Sequence, residues 1–211
     1  MIKFSIIMPV FLGDYPDSAP DKPKKFLRAV GSVLTQTYKN FELVIISDGC
    51  EETNKLVHAK YQKELQKGII KLVKLERHPL FTGAVRQKGI DEATGDVFCN
   101  LDADDSFLPN HLWNISVAYD PTKYDWCYFN LYRKLDNLKG VEELIDAKPT
   151  TDSLCTANVI WKRGLDVTWN GCDGRQDNKA FNQQLIDKYP KCVKIYGCTY
   201  IIHHALIKRA V

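Results

Sequence analysis

The chain of 211 residues carries 29 lysines and arginines against 26 aspartates and glutamates, a formal net charge of +3, with 45% hydrophobic residues. That is enough apolar material for one large domain or two small ones, and so even a balance excludes the broad basic field that draws proteins onto nucleic acid. Seven cysteines stand singly, with no CxxC pair and an odd total, a pattern that excludes a disulfide framework or a zinc site and fits a reducing cytosol.

The opening MIKFSIIMPVFL is too short to span a bilayer and lacks a small-residue cleavage site, so residues 2–10 are expected to form a first, doubly buried strand rather than a leader. No later apolar stretch approaches the roughly 20 residues of a membrane helix, and any membrane association is expected to be peripheral. Asn114-Ile115-Ser116 matches a glycosylation sequon, a chance match in a cytosolic chain. After a Gly/Pro/Asp-rich loop, Asp21 is placed as a helix N-cap with Pro23 in the first turn, and Phe26, Leu27, Val30 and Leu34 recur at helical spacing. Residues 41–47 (FELVIIS) read as a second strand, 51–66 as one helix opening on two acids, and 69–75 as a third strand.

Residues 83–94 read as a further helix with Val85, Ile90 and Ala93 on its apolar side and Gly95 as its stop, followed by a fourth strand over 96–101. Alternation of this kind implies right-handed crossovers and a mostly parallel sheet, whose ligands gather at the carboxyl ends of the strands. The second half is less regular. Residues 109–119 and 179–188 look helical, 126–132, 157–162 and 193–203 extended, and the polar stretch 136–151 is expected to be a loop or insertion. With no repeat, low-complexity segment or linker, a single mixed domain is expected.

Asp102, Asp104 and Asp105 place three carboxylates within four residues directly after a buried strand, with no basic residue beside them in sequence. Like charges so close repel unless a cation sits among them, and oxygen ligands alone favour a hard ion, Mn2+ or Mg2+, completed by substrate phosphates. The alternative is a solvated acidic turn ahead of the helix at Pro109. Asp48-Gly49, likewise at a strand's carboxyl end, is either a ligand-facing carboxylate or an ordinary tight turn.

The segments SIIMPVF, LTQTYKNFELVIISDG and GAVRQKGIDEATGDVFCNLDADDSFLP, in that order, resemble the nucleotide-binding half of family 2 glycosyltransferases with the GT-A fold. The likeness is close over about residues 3–112 and looser beyond. It implies an α/β, Rossmann-like domain with a mixed, mostly parallel central sheet flanked by helices. Residues 1–108 would bind a nucleoside-diphosphate sugar, UDP-linked by expectation, and residues 109–211 an acceptor. It further implies that Pro9, Val10 and Phe11 line the base and ribose pocket and that Asp48 accepts a hydrogen bond from the base. Asp102 and Asp104 match the family's DxD, Asp102 and Ala103 on the ribose side and Asp104 as metal ligand, with Asp105 in support. Arg86, in Val85-Arg86-Gln87 where Ala-Arg-Asn is usual, would face the diphosphate or else form a surface salt bridge with Asp91 or Glu92.

Family members carry Glu-Asp at the start of a late helix, and Gln176-Asp177 stands in that place, making Asp177 the catalytic base that deprotonates the acceptor hydroxyl. A plain helix N-cap is the alternative for Asp177, and Asp173 is a rival base. Of His203 and His204, which point to opposite faces of a strand, His203 fits the metal-site histidine better. The basic Lys208-Arg209 is either a solvated end or a phosphate contact. The QxxRW signature of processive polysaccharide synthases is absent from the sequence. The expected reaction is an inverting, metal-assisted transfer to a glycan, lipid-linked or protein acceptor. Rival readings are a sugar nucleotidyltransferase, against which the segment 11–15 lacks a Gly-rich basic loop, and a nucleotide-sugar or carbohydrate-binding protein without catalysis.

Overall fold

The computed structural model describes residues 1–14, 21–77, 82–135, 142–172 and 177–204. Alternate residues of the first strand, β1 (Phe4–Val10), serve two different cores: Phe4, Ile6, Met8 and Val10 point into one, and Ile7 into the other. This is why the run is apolar throughout rather than alternating. Helix α1 (Lys22–Leu34) lays Phe26, Ala29, Val30 and Val33 on the first core, Phe26 and the two valines each contributing about 1.5–3 kcal/mol. Strands β2 (Phe41–Asp48) and β3 (Ile70–Leu75) follow, separated by α2 (Glu51–Lys60) and α3 (Gln62–Gln66). Helix α4 (Thr82–Glu92) covers the opposite face through Val85 and leads to β4 (Val97–Asn100).

The second half supplies β5 (Ser106–Phe107), α5 (His111–Ala118), β6 (Trp126–Leu135), β7 (Glu142–Ile145), β8 (Val159–Lys162), α6 (Asp177–Lys188) and β9 (Cys192–His204). The sheet runs β3-β2-β1-β4-β8-β6-β9-β5, with β7 paired to β6. Pairs among β1 to β4 are parallel, as is β6 with β9; β8 lies antiparallel to β4 and β6, and β5 to β9. The sheet is therefore mixed, with helices on both faces.

Three local expectations are corrected. Asp21 sits in the left-handed region at φ 56° and makes no side-chain cap bond, so α1 starts on Pro23's fixed geometry and on the Asp21 carbonyl, which accepts from the Lys25 N–H at 3.0 Å. The helix over 51–66 breaks at Tyr61, whose backbone leaves helical geometry while its ring packs half-buried against the core. The stretch 136–151 holds strand β7 across Glu142–Ile145; half-exposed and paired on β6 alone, it needs little apolar sequence to form.

Candidate active site

Parallel register sets the ends of β1 and β2 side by side, Val10 opposite Ser47, with β4 on the other flank of β1. Val10 itself is buried in the core, so at this end half-exposed Pro9 and Phe11 present side chains outward. Over the Phe11 ring lies the Arg77 guanidinium, 3.7 Å from the centroid, and the same guanidinium is ion-paired with Asp48. Gly49, at φ 60°, makes this possible: a Cβ there would collide with the Arg77 backbone. Sequence reading missed Arg77; its signal was a basic residue two places beyond a parallel strand, on the side where Asp48 ends the neighbouring strand.

The acidic turn leaves β4 through fully buried Leu101. Asp102 is paired with the Arg86 guanidinium at 2.9 Å, and its N–H donates to Tyr200 Oη at 3.2 Å. Arg86 is buried rather than on the surface, and its guanidinium lies 5.3 Å from the Trp169 ring. Asp104 is partly buried, and its backbone oxygen accepts from Arg28 on α1 at 2.5 Å. Burial and then the neighbouring Asp102 charge raise the Asp104 carboxyl above its ordinary range, against the pull of Lys25 and Arg28. Arg28 and Lys25 are the basic neighbours that the local sequence lacks; they arrive from a helix about 75 residues earlier.

Asp105 is turned inward. It accepts from Tyr200 Oη at 2.9 Å and from the His203 N–H at 2.9 Å, and burial together with Asp102 and Asp104 pushes its carboxyl well above the usual carboxylate range. His203 thus reaches the acidic turn through its backbone, while its Nε2 meets Ser106 Oγ at 2.9 Å. Ala103 is half-buried between the two outward aspartates.

Asp177 is the first residue of α6. Its carboxyl and the His204 ring are outside the described side chains, and Asp173, Gln176, Lys208 and Arg209 are outside the described residues. The segment just before α6 packs onto α4: Gln87 Oε1 accepts from the Trp169 N–H and the Thr168 hydroxyl, both at 2.9 Å, and the Trp169 ring stacks on Phe181 of α6 at 4.1 Å. Arg86 and α6 are thereby coupled through one tryptophan.

A sheet that turns from parallel to mixed beside an acidic strand-end turn is the GT-A arrangement. The chain superposes on S. aureus TarS 1-349, solved in complex with UDP-GlcNAc, with TM-score 0.73 and 18% identity over 100% of this chain and 62% of that one. It superposes on the mannosyltransferase PcManGT of Pyrobaculum calidifontis, solved with GDP-Man and Mn2+, with TM-score 0.62 and 14% identity over 99% and 58% of the two chains. At those identities the likeness is one of fold. Residues 5–192 match the model of glycosyl transferase family 2, and the chain belongs to that family. It is 28% identical over 164 residues to an uncharacterized glycosyltransferase of Nostoc sp. (strain PCC 7120 / SAG 25.82 / UTEX 2576), a match covering 76% of this chain and 48% of the relative. The chain spans about a third to a half of the length of such curated relatives.

Proposed function

We propose that the chain transfers a sugar from a nucleoside diphosphate, UDP in the first instance, to an acceptor hydroxyl of a glycan, lipid-linked or protein substrate, with Mn2+ or Mg2+ at Asp104. The observation that carries this reading is the gathering of the Asp102 and Asp104 carboxylates at the turn that ends β4. Burial and then the Asp102 charge raise the Asp104 carboxyl even with Lys25 and Arg28 nearby, and a hard cation relieves the repulsion between the two carboxylates. Among the described residues no trio of His, Cys, Asp and Glu could hold a metal ion. One or two carboxylates plus substrate phosphates remain the fitting donor set. Bound there, the ion supplies charge neutralisation to the departing nucleoside diphosphate.

Phe11 offers a ring face to the base, alongside Pro9 and the Val10 backbone. Asp48 and Arg77, already paired, supply an acceptor and donors that suit a uracil-type edge. Asp102 and Ala103 serve the ribose side, with Arg86 fixing the Asp102 carboxylate and available to the diphosphate. Asp177, opening α6, takes the proton of the acceptor hydroxyl as it attacks in line with inversion at the anomeric carbon, a role that needs only a moderately raised pKa. His203 joins the metal only by giving up its Ser106 contact. Residues 1–108 form the donor half and 109–211 the acceptor half. The UDP-GlcNAc complex of TarS and the GDP-Man complex of PcManGT support the donor class, and the Mn2+ in the latter supports the ion.

The test is thermal stabilisation by UDP and GDP with and without Mn2+. A nucleotide at about 100 times its Kd adds roughly 2.7 kcal/mol. The gain is expected with Mn2+ and lost in Asp104→Asn, whereas Asp177→Asn keeps it but transfers no sugar. Absence of any nucleotide-dependent shift sinks the reading, and full transfer by Asp177→Asn sinks the base assignment.

A further inference from the structure

We infer that the face built by α2, α3 and β3 docks on an anionic bilayer surface. Across α2, α3 and β3 the sequence holds six lysines against Glu51, Glu52 and Glu64, an excess of three positive charges that equals the net charge of the whole chain, +3, and from Lys55 to Lys74 Glu64 is the single acid. Lys71 is paired with Glu92 at 2.7 Å. Lys55, Lys60, Lys63, Lys67 and Lys74 are exposed and have no ion-pair partner among the described residues. Lysines on the far side behave differently: Lys162, Lys179 and Lys194 each hold an aspartate at 2.7 Å. Unpaired ammonium groups gathered on α2, α3 and β3 produce a local positive field.

Within the lysines lies a shallow groove of about 380 Å³, lined by Leu65 and Leu72 with His58, Gln62, Gln66 and Lys74. Composition selects the partner. Specific protein interfaces are enriched in aromatics and arginine and depleted of lysine, and single-stranded nucleic acid needs exposed rings on which bases stack. From residue 51 to 75 there is no arginine, and the lone aromatic, Tyr61, is half-buried against the core. Lysines on flexible stems, heads in water and methylenes along leucine, are instead the chemistry that engages anionic lipid headgroups. The position agrees, because β3 ends the sheet and leaves this side uncovered by another strand. Lysines on an edge strand also discourage strand-to-strand association, but that role carries no lipid selectivity.

The proposal does not rest on sugar transfer, and its test uses no nucleotide. The full chain is floated with phosphatidylcholine vesicles and with vesicles containing about 30% phosphatidylglycerol, at about 0.1 M and about 0.5 M NaCl. Binding is expected only to the anionic vesicles and only at the lower salt. The triple variant Lys60→Gln/Lys63→Gln/Lys67→Gln is expected to lower the partition coefficient roughly a hundredfold. The charge-matched Lys123→Gln/Lys179→Gln/Lys191→Gln is expected to keep it. Equal binding to both vesicle types, an equal loss in the charge-matched variant, or binding to a soluble polyanion such as heparin without binding to vesicles overturns the proposal.

Discussion

Glu42 in β2 and Asn182 in α6 are both buried, yet their surroundings differ in kind. Glu42 accepts from Ser5 Oγ at 2.6 Å, Thr94 Oγ1 at 2.8 Å and the Gly95 N–H at 3.1 Å, with Lys3 at 3.6 Å beyond. It ties β1, β2 and the end of α4 together at the end of the strands opposite the candidate site. Asn182 is fully enclosed, and neither of its amide atoms has a hydrogen-bond partner among the described residues; Asn158 Nδ2, Trp169 Nε1 and His111 Nε2 share that condition. An enclosed polar group stabilises when its bonds are made and costs about 1–3 kcal/mol when they are not. At Glu42, then, a buried polar group helps hold the parallel end of the sheet. At Asn182 the holding falls to the apolar and aromatic packing of α6.

Four measurements test this contrast, in descending size. Trp169→Ala removes a fully buried ring stacked on Phe181 and should cost about 3–5 kcal/mol in urea denaturation; a loss under about 1 kcal/mol would show that the mixed end is not held by this stack. Glu42→Gln keeps the shape but weakens several charge-assisted bonds, and a loss of about 2 kcal/mol at pH 7 is expected. Burial raises this carboxyl, but the bonds from Ser5 and Thr94 together with Lys3 outweigh it, so the folded pKa lies below the ordinary value. Its contribution is therefore present above the unfolded pKa and lost as pH falls through the folded one, and Glu42→Gln should show a flatter acid limb.

His111 loses stability in the same direction on acidification, but here burial itself is the cause. Burial lowers its pKa to about 3, so the unfolded chain binds a proton that the folded chain refuses. Between about pH 6.5 and 3 this group alone should make stability fall with acidification by at most about 1.4 kcal/mol per pH unit, and His111→Phe should remove that slope in pH-dependent melting. Asn182→Leu, of similar volume, should be neutral or stabilising by up to about 1 kcal/mol. A clear loss would mean that the amide is satisfied and the contrast between the two ends false.

The parallel end was legible because its constraints are local. A doubly buried strand needs an unbroken apolar run, a helix a 3.6-residue stripe, and a strand-end site its polar residues just past the run, so β1 to β4, Asp48 and the acidic turn could be read directly. What escaped depends on distant partners. Arg28 and Lys25 approach Asp104 across the fold, Arg77 gains meaning only beside Phe11 and Asp48, and Trp169 looks like any loop aromatic until α6 places Phe181 beneath it. Strand β7 escaped for the opposite reason: a half-exposed edge imposes too weak a pattern.

The bonds from Tyr200 and His203 to Asp105 set a timetable for folding. The acidic turn is encoded near the middle of the chain, but β5 beside it pairs with β9, and Asp105 is anchored by residues 95 and 98 positions later. Contacts of such separation close late, since the chain entropy of a long loop must be lost before they form. During synthesis the strand ends of β1 and β2 can be arranged while the last strand is still unmade. Asp105 takes its final geometry only when β9 docks, so the acidic turn is set late although its residues are made early.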